Sequence, residues 1–191
     1  MRSNRTLFLI EVAIFAAMAL LLDIIPFLKF AIWPQGGSVS FAMIPIFIVA
    51  FRWGLKGGLA SGFLFGALQV AMSGPIIFTV LQGFLDYIVA FTVIGAAGMF
   101  AGPVQKAVYN KRAAKTFYYI TLGTFVGSAL RFLAHFTAGI VFFGHYAPEG
   151  QPVWLYSLLY SGSYMLPAFI LSAVAVFFLF HKQPRTLVQA A

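Results

Sequence analysis

The stretch L-R-F-L-A-H-F-T-A-G-I-V-F-F, from Leu130 to Phe143, is apolar enough for the interior of a lipid bilayer, yet it carries an arginine and a histidine. A charge at mid-membrane costs about 2.5–3.5 kcal/mol on insertion scales, so such groups face a cavity or a partner. Positions four apart share a helix face, which puts Arg131, His135, Gly139 and Phe143 in one stripe. Cation, imidazole, gap and ring then line one wall, and Gly139 would leave a ligand room against the backbone. The plainer alternative is that Arg131 pairs with Asp86 or Asp23 and only holds helices together.

The surrounding sequence decides the class. Of its 191 residues, 62% are hydrophobic and 8% charged, with mean hydropathy +0.96, against about 45–50% apolar and about 25% charged in ordinary soluble domains. The chain reads as an all-α membrane protein in a single domain covering 1–191, because no linker or charge run divides it. Apolar segments near Thr6–Leu28, Val39–Phe51, Gly57–Met72, Ile76–Phe100, Phe117–Phe143 and Trp154–Phe180 predict a six-transmembrane-helix bundle, multi-pass in the cell membrane. Arg2, Arg5, Arg52, Lys56, Lys106, Lys111, Arg112, Lys115, Lys182 and Arg185 then fall on one side, and Lys29 alone on the other. Both termini are therefore expected in the cytoplasm. The net charge of +8 marks cytoplasmic loops in contact with the bilayer, and no nucleic-acid partner is expected. The lack of cysteine excludes disulfides and thiolate metal sites. Arg2 and Arg5 before an apolar run look like a signal peptide, but the further spans favour an uncleaved first helix.

Other segments supply complements to Arg131 and His135. In L-Q-G-F-L-D-Y, Gln82 and Asp86 share a face and Tyr87 stands beside them. In W-L-Y-S-L-L-Y-S-G-S-Y, Tyr156, Tyr160 and Tyr164 form one stripe and Ser157 and Ser161 another; Trp154 and Tyr156 read equally well as interfacial anchors. Asp86, Tyr87, His135, Gly139, Phe143, Tyr156 and Ser161 together make a pocket for a flat, polar or cationic heterocycle: rings for stacking, a carboxylate for charge, hydroxyls for orientation. The connection W-P-Q-G-G-S-V-S, with Trp33, Gln35, Gly36 and Ser40, lies on the same outer side. Its proline and glycines predict an irregular lid. Gly54, Gly58, Gly62 and Gly66 recur every four residues and are expected to pack within the molecule, whereas Ala13 and Ala17 either pack internally or dock another membrane subunit.

Catalysis has little support. There is no H-E-x-x-H, G-x-S-x-G or G-x-x-x-x-G-K-[ST], and an Asp86–His135–Ser161 triad has no local motif behind it. The chain reads as a transport or binding protein with no cofactor and no metal. Without a phosphate loop, uphill transport requires an energising partner or an ion gradient.

An ordered set of motifs now carries a resemblance. P-Q-G-G-S-V-S from Pro34, M-I-P-I-F from Met43, F-R-W-G from Phe51, L-D-Y-I-V-A-F from Leu85, G-S-x-L-R from Gly127, and G-x-V-F-F-G with P-V-W-x-Y-S-L between Gly139 and Leu158 resemble, end to end, the thiamine-specific S-components of energy-coupling-factor transporters, in their Bacillus-type form. The resemblance implies capture of thiamine from outside by a six-helix subunit joined to a transmembrane coupling subunit and two ATPase subunits. It also implies that Ala13 and Ala17 dock the coupling subunit, and that Asp86, Tyr87, Arg131, His135, Gly139 and Tyr156 line the thiamine site. Asp86 stands for a longer glutamate of some relatives, Phe143 for a tryptophan, and Ser161 for the usual asparagine. These departures bear on affinity and exact ligand. Another vitamin or a thiamine precursor is the alternative ligand, and a stand-alone secondary transporter the alternative class.

Overall fold

The computed structural model describes residues 2–33, 36–74 and 77–187. The first helix, α1 (Arg2–Ile24), turns Val12, Ala16, Ala19 and Leu20 inward and leaves Leu9, Ile14 and Leu21 exposed, as a lipid-facing helix should. Pro26 opens a short 3-10 turn, Pro26–Leu28, and the chain then forms a hairpin. Strands β1 (Lys29–Trp33) and β2 (Gly36–Ser40) pair antiparallel, with Lys29 opposite Ser40 and Phe30 opposite Val39. Gly36–Ser40 of the expected irregular lid therefore form a strand, and the described residues are helical with one small sheet instead of purely α. Gly36 and Gly37, at φ 124° and 73°, supply left-handed backbone at the turn that few other residues adopt. Gln35 lies outside the described residues.

Helix α2 (Met43–Met72) runs through both the second and third apolar segments, with a break at Gly54 (φ 72°, ψ −163°). A methyl added at Gly58 would stand 2.8 Å from the Ala50 Cβ, whereas residues eight apart in an unbroken helix lie ~12 Å apart along the axis. The chain therefore doubles back at Gly54. The break frees carbonyls, and Gln105 Nε2 donates to those of Phe51 (2.8 Å) and Arg52 (3.1 Å), as a low-dielectric setting demands.

A continuous rod follows, Val80–Tyr109, made of α3 (Val80–Gly83), a π-helical turn (Phe84–Val89), α4 (Ala90–Thr92), a 3-10 stretch (Val93–Phe100) and α5 (Ala101–Tyr109). Two long helices complete the bundle, α6 (Ala113–Phe142) and α7 (Val153–Lys182). Among the described residues, five helices are long and apolar enough to cross a membrane.

The glycine row of α2 packs backbone to backbone against this rod. An added Cβ at Gly58 would reach the Gly95 carbonyl at 2.6 Å; at Gly62 it would collide with the Phe91 carbonyl and at Gly66 with that of Tyr87. On the rod's other side, a Cβ added at Gly127 of α6 would stand 2.6 Å from the Ile94 carbonyl. Phe47, Phe51, Phe65, Ile94, Ile120 and Phe180 fill the core between them.

Gly62→Val is expected to destabilise the protein by about 1–3 kcal/mol or more, because backbone cannot give way as a side chain does. Gly102→Ala, with nothing within 4 Å of the new methyl and helical backbone at that position, should leave stability unchanged or raise it by up to about 1 kcal/mol. Thermal unfolding of the detergent-solubilised variants measures both.

Candidate functional site

The hairpin roofs a cavity of about 370 Å³ at the end of the bundle where α1 and α2 finish and α7 begins. The rod contributes Asp86, Tyr87 and Phe91, α6 contributes Arg131, His135 and Gly139, and the turn after it Phe143 and Tyr146. Tyr156, Ser157, Tyr160, Ser161 and Tyr164 come from α7. The eight residues expected from sequence to bind ligand all line this one cavity.

Asp86 and Tyr87 sit on the π-helical turn, a local widening that recurs at functional sites and that a reading of Ile76–Phe100 as plain helix misses. The Asp86 carboxylate accepts from Gln82 Nε2 at 2.7 Å through Oδ2 and meets His135 Nδ1 at 3.1 Å through Oδ1. Arg131 Nε in turn donates to His135 Nε2 at 3.4 Å. An arginine has only protons to give, so Nε2 carries the lone pair and Nδ1 the proton, and His135 is a neutral donor to Asp86. The order Arg131 to His135 to Asp86 fixes the direction of every bond.

Arg131 does not form the expected structural pair with Asp86 or Asp23. Among the described residues it has no carboxylate partner; its guanidinium stands 4.9 Å from the Phe91 ring centre, a cation–π contact that suits an ion out of water. Asp23 instead accepts from Gln69 Nε2 at 2.7 Å and pairs with Lys29 Nζ at 3.2 Å.

Gly139 also differs from its expected use. The space beside it goes to α7, because an added Cβ would collide with Ser157 Oγ, which donates to the Phe136 carbonyl at 2.8 Å. It sets the α6–α7 approach while its backbone borders the cavity. Phe143 stacks on Tyr146 (6.3 Å, 24°), and Tyr156 on Tyr160 (5.8 Å, 27°), giving two flat aromatic walls.

Of the proposed lid residues, Gly36 borders the cavity. Trp33 fastens the hairpin to α7, its Nε1 donating to Ser163 Oγ at 2.8 Å and its ring against Tyr160 at 5.8 Å. Ser40 is buried just before α2, its Oγ accepting from the Ala42 amide at 3.4 Å, and it does not line the cavity. Ala13 and Ala17 are exposed on α1, which leaves no internal packing role for them.

Sequence reasoning missed Lys29, Gln69 and Tyr146 as cavity residues, and treated Asp23 only as a partner for Arg131. Polar side chains inside or just beyond apolar segments were the available clue. Among the described residues, no group of three or more His, Asp or Glu is placed to hold a metal ion.

The profile of the family described as thiamine transporter protein matches residues 9–188. The thiamine transporter ThiT of Bacillus subtilis (strain 168) is 47% identical over 186 residues, covering 97% of this chain and 96% of that one. ThiT of Lacticaseibacillus paracasei is 34% identical over 183 residues, covering 94% and 90%. A solved structure of ThiT from Listeria monocytogenes matches with a TM-score of 0.90 at 28% identity, covering 97% of this chain and 99% of the other. Matches along the whole length, together with helices that span a membrane, make this a multi-pass cell-membrane transport protein and not an enzyme. The chain belongs to the thiamine transporter protein family.

Proposed function

We propose that the cavity binds thiamine from outside the cell and that the chain is the substrate-specific subunit of an ATP-driven energy-coupling-factor transporter. The observation that carries this reading is a buried carboxylate, Asp86, held by a neutral imidazole inside an aromatic-walled cavity of about 370 Å³. Thiamine joins an aminopyrimidine to a permanently cationic thiazolium with a hydroxyethyl tail. Asp86 supplies an acceptor and countercharge, Phe143 and Tyr156 supply stacking faces, and Tyr87 and Ser161 supply hydroxyls. The volume lies within the roughly 300–1,000 Å³ of small-molecule sites.

The two limbs of α2 count as separate membrane segments in this reading, which gives six with both termini cytoplasmic. The first limb is short for a span, but Ala50 and Phe51 are fully buried, so protein shelters it from lipid. Arg52 and Lys56 flank the reversal at Gly54, while Lys106 to Lys115 lie where α5 hands over to α6, on the end away from the cavity. The inner face of α1 is taken by Val12, Ala16, Ala19 and Leu20, so the Ala13 and Ala17 stripe is available to the transmembrane coupling subunit. Two ATPase subunits on that coupling subunit provide the energy.

Calorimetric titration of the full chain in detergent tests the ligand: selective binding of thiamine over riboflavin is expected, and folded protein that ignores thiamine rejects the reading. Asp86→Asn should weaken thiamine roughly 10–100-fold, the worth of a hydrogen bond to a charged group. Undiminished affinity with a lower melting temperature would make Asp86 purely structural.

Docking is tested separately. Ala13→Leu combined with Ala17→Leu should abolish ATP-driven uptake in cells carrying the coupling module, while the purified variant still binds thiamine. Full uptake would remove α1 from the interface.

A further inference from the structure

The cavity has a second polar wall, built by elements that contribute nothing to the Asp86 cluster. Asp23 ends α1, Gln69 lies near the end of α2, and Lys29 begins β1; all three border the cavity. The Asp23 contacts to Gln69 (2.7 Å) and Lys29 (3.2 Å) both fall on one oxygen, Oδ2. The two partners are not alike. Gln69 is buried and part of a packed helix, so its amide fixes the carboxylate. The Lys29 side chain is 38% exposed against 13% for Asp23, so the ammonium is the half that can leave. A fixed carboxylate holding a releasable ammonium is a cation site with a cation already in it.

Charge balance gives that arrangement a consequence. The charged groups lining the cavity are Asp23, Asp86, Lys29 and Arg131, and with His135 neutral they cancel. In a neutral cavity the attraction of Asp86 for an entering cation is partly offset by Arg131 and Lys29, whereas one extra carboxylate within ~8 Å is worth more than a tenfold change in affinity at an effective dielectric of about 20. Arg131 cannot supply the imbalance by leaving, because it is half-buried within the span, stands over Phe91 and is bonded to His135. Lys29 can, by turning its side chain toward solvent.

We propose that Asp23 is a second counter-ion for the cationic ligand, and that Lys29 is a resident cation which the ligand displaces. The inference rests on the thiamine reading and extends it. Lys29 then sets affinity by competition, and selectivity for a charged ligand over a neutral one comes from Asp23 as well as Asp86.

The test is calorimetric titration of the full chain and of its Lys29→Met and Asp23→Asn variants with two probes: thiamine, and the uncharged aminopyrimidine alcohol that corresponds to its pyrimidine half. Lys29→Met should tighten thiamine about tenfold and Asp23→Asn should weaken it about tenfold, while the neutral probe moves less than about twofold in either. Lys29→Met keeps the Asp23–Gln69 bond, so it decides the matter even where Asp23→Asn fails to fold. Thiamine binding that is unchanged or weaker in Lys29→Met overturns the inference and makes Lys29 a fastening of the hairpin. Equal shifts for both probes also overturn it, because the effect would not depend on ligand charge. An unmutated protein that binds no thiamine overturns the thiamine reading itself and this inference with it.

Discussion

Backbone meets backbone where Gly62 of α2 lies against the Phe91 carbonyl, and no side chain can be fitted between them. Lipid tails are as apolar as leucine, so helices in a membrane gain little from hiding apolar surface and must associate by close packing. The rod Val80–Tyr109 is held this way from both sides, by Gly58, Gly62 and Gly66 of α2 and by Gly123 and Gly127 of α6. The grip of Gly66 falls on the Tyr87 carbonyl, inside the π-helical turn itself. That clamp brings Asp86 within 3.1 Å of His135 on the neighbouring helix. Without it the carboxylate would keep only Gln82 as a donor, with its second oxygen unsatisfied.

Polar contacts finish what the glycines begin. Of the four acidic residues, three sit within helical segments, and each is held by donors from another part of the chain or the next turn of its own helix. Glu11 receives Arg52 through two bonds of 2.6 and 2.9 Å and Trp53 Nε1 at 2.6 Å, fastening α1 to the reversal at Gly54. Asp23 receives Gln69 at the other end of the same helix pair. Partly buried charges are stable only when satisfied in this way, because an unpaired ion forfeits several kcal/mol of hydration.

Much of this was legible in residue spacing. Arg131 and His135 four apart in an apolar run announce a lined cavity, and the four-residue glycine row announces close helix packing. What spacing cannot reveal is which neighbour fills a gap: Gly139 reads as room for a ligand, yet Ser157 of α7 takes that space. Nor does it reveal a reversal inside a helical run, because φ 72° at Gly54 depends on the tertiary contacts around it as much as on the residue. The hairpin was hidden for a similar reason. G-G-S-V-S, from Gly36 to Ser40, lacks clean alternation, and pairing with Lys29–Trp33, which lies past the first apolar segment, is what makes it a strand. Lys29 and Gln69 escaped notice because they are 40 positions apart and only the fold brings both to Asp23.

The first helix packs on α2 through a narrow stripe. Its buried apolar residues, Val12, Ala16, Ala19 and Leu20, are mostly small, and dispersion over so little surface is weak. Polar attachments at Glu11 and Asp23 therefore carry much of the burden of fixing its depth and rotation. They lie twelve residues apart, about 18 Å along a helix, one beside the reversal at Gly54 and one on the cavity wall. A hydrogen-bonded helix does not compress over that length, so the two attachments together set the position of the residues between them, including the exposed stripe of Ala13 and Ala17. The same helix thus carries both a residue of the cavity wall, Asp23, and an exposed small-residue face, Ala13 and Ala17.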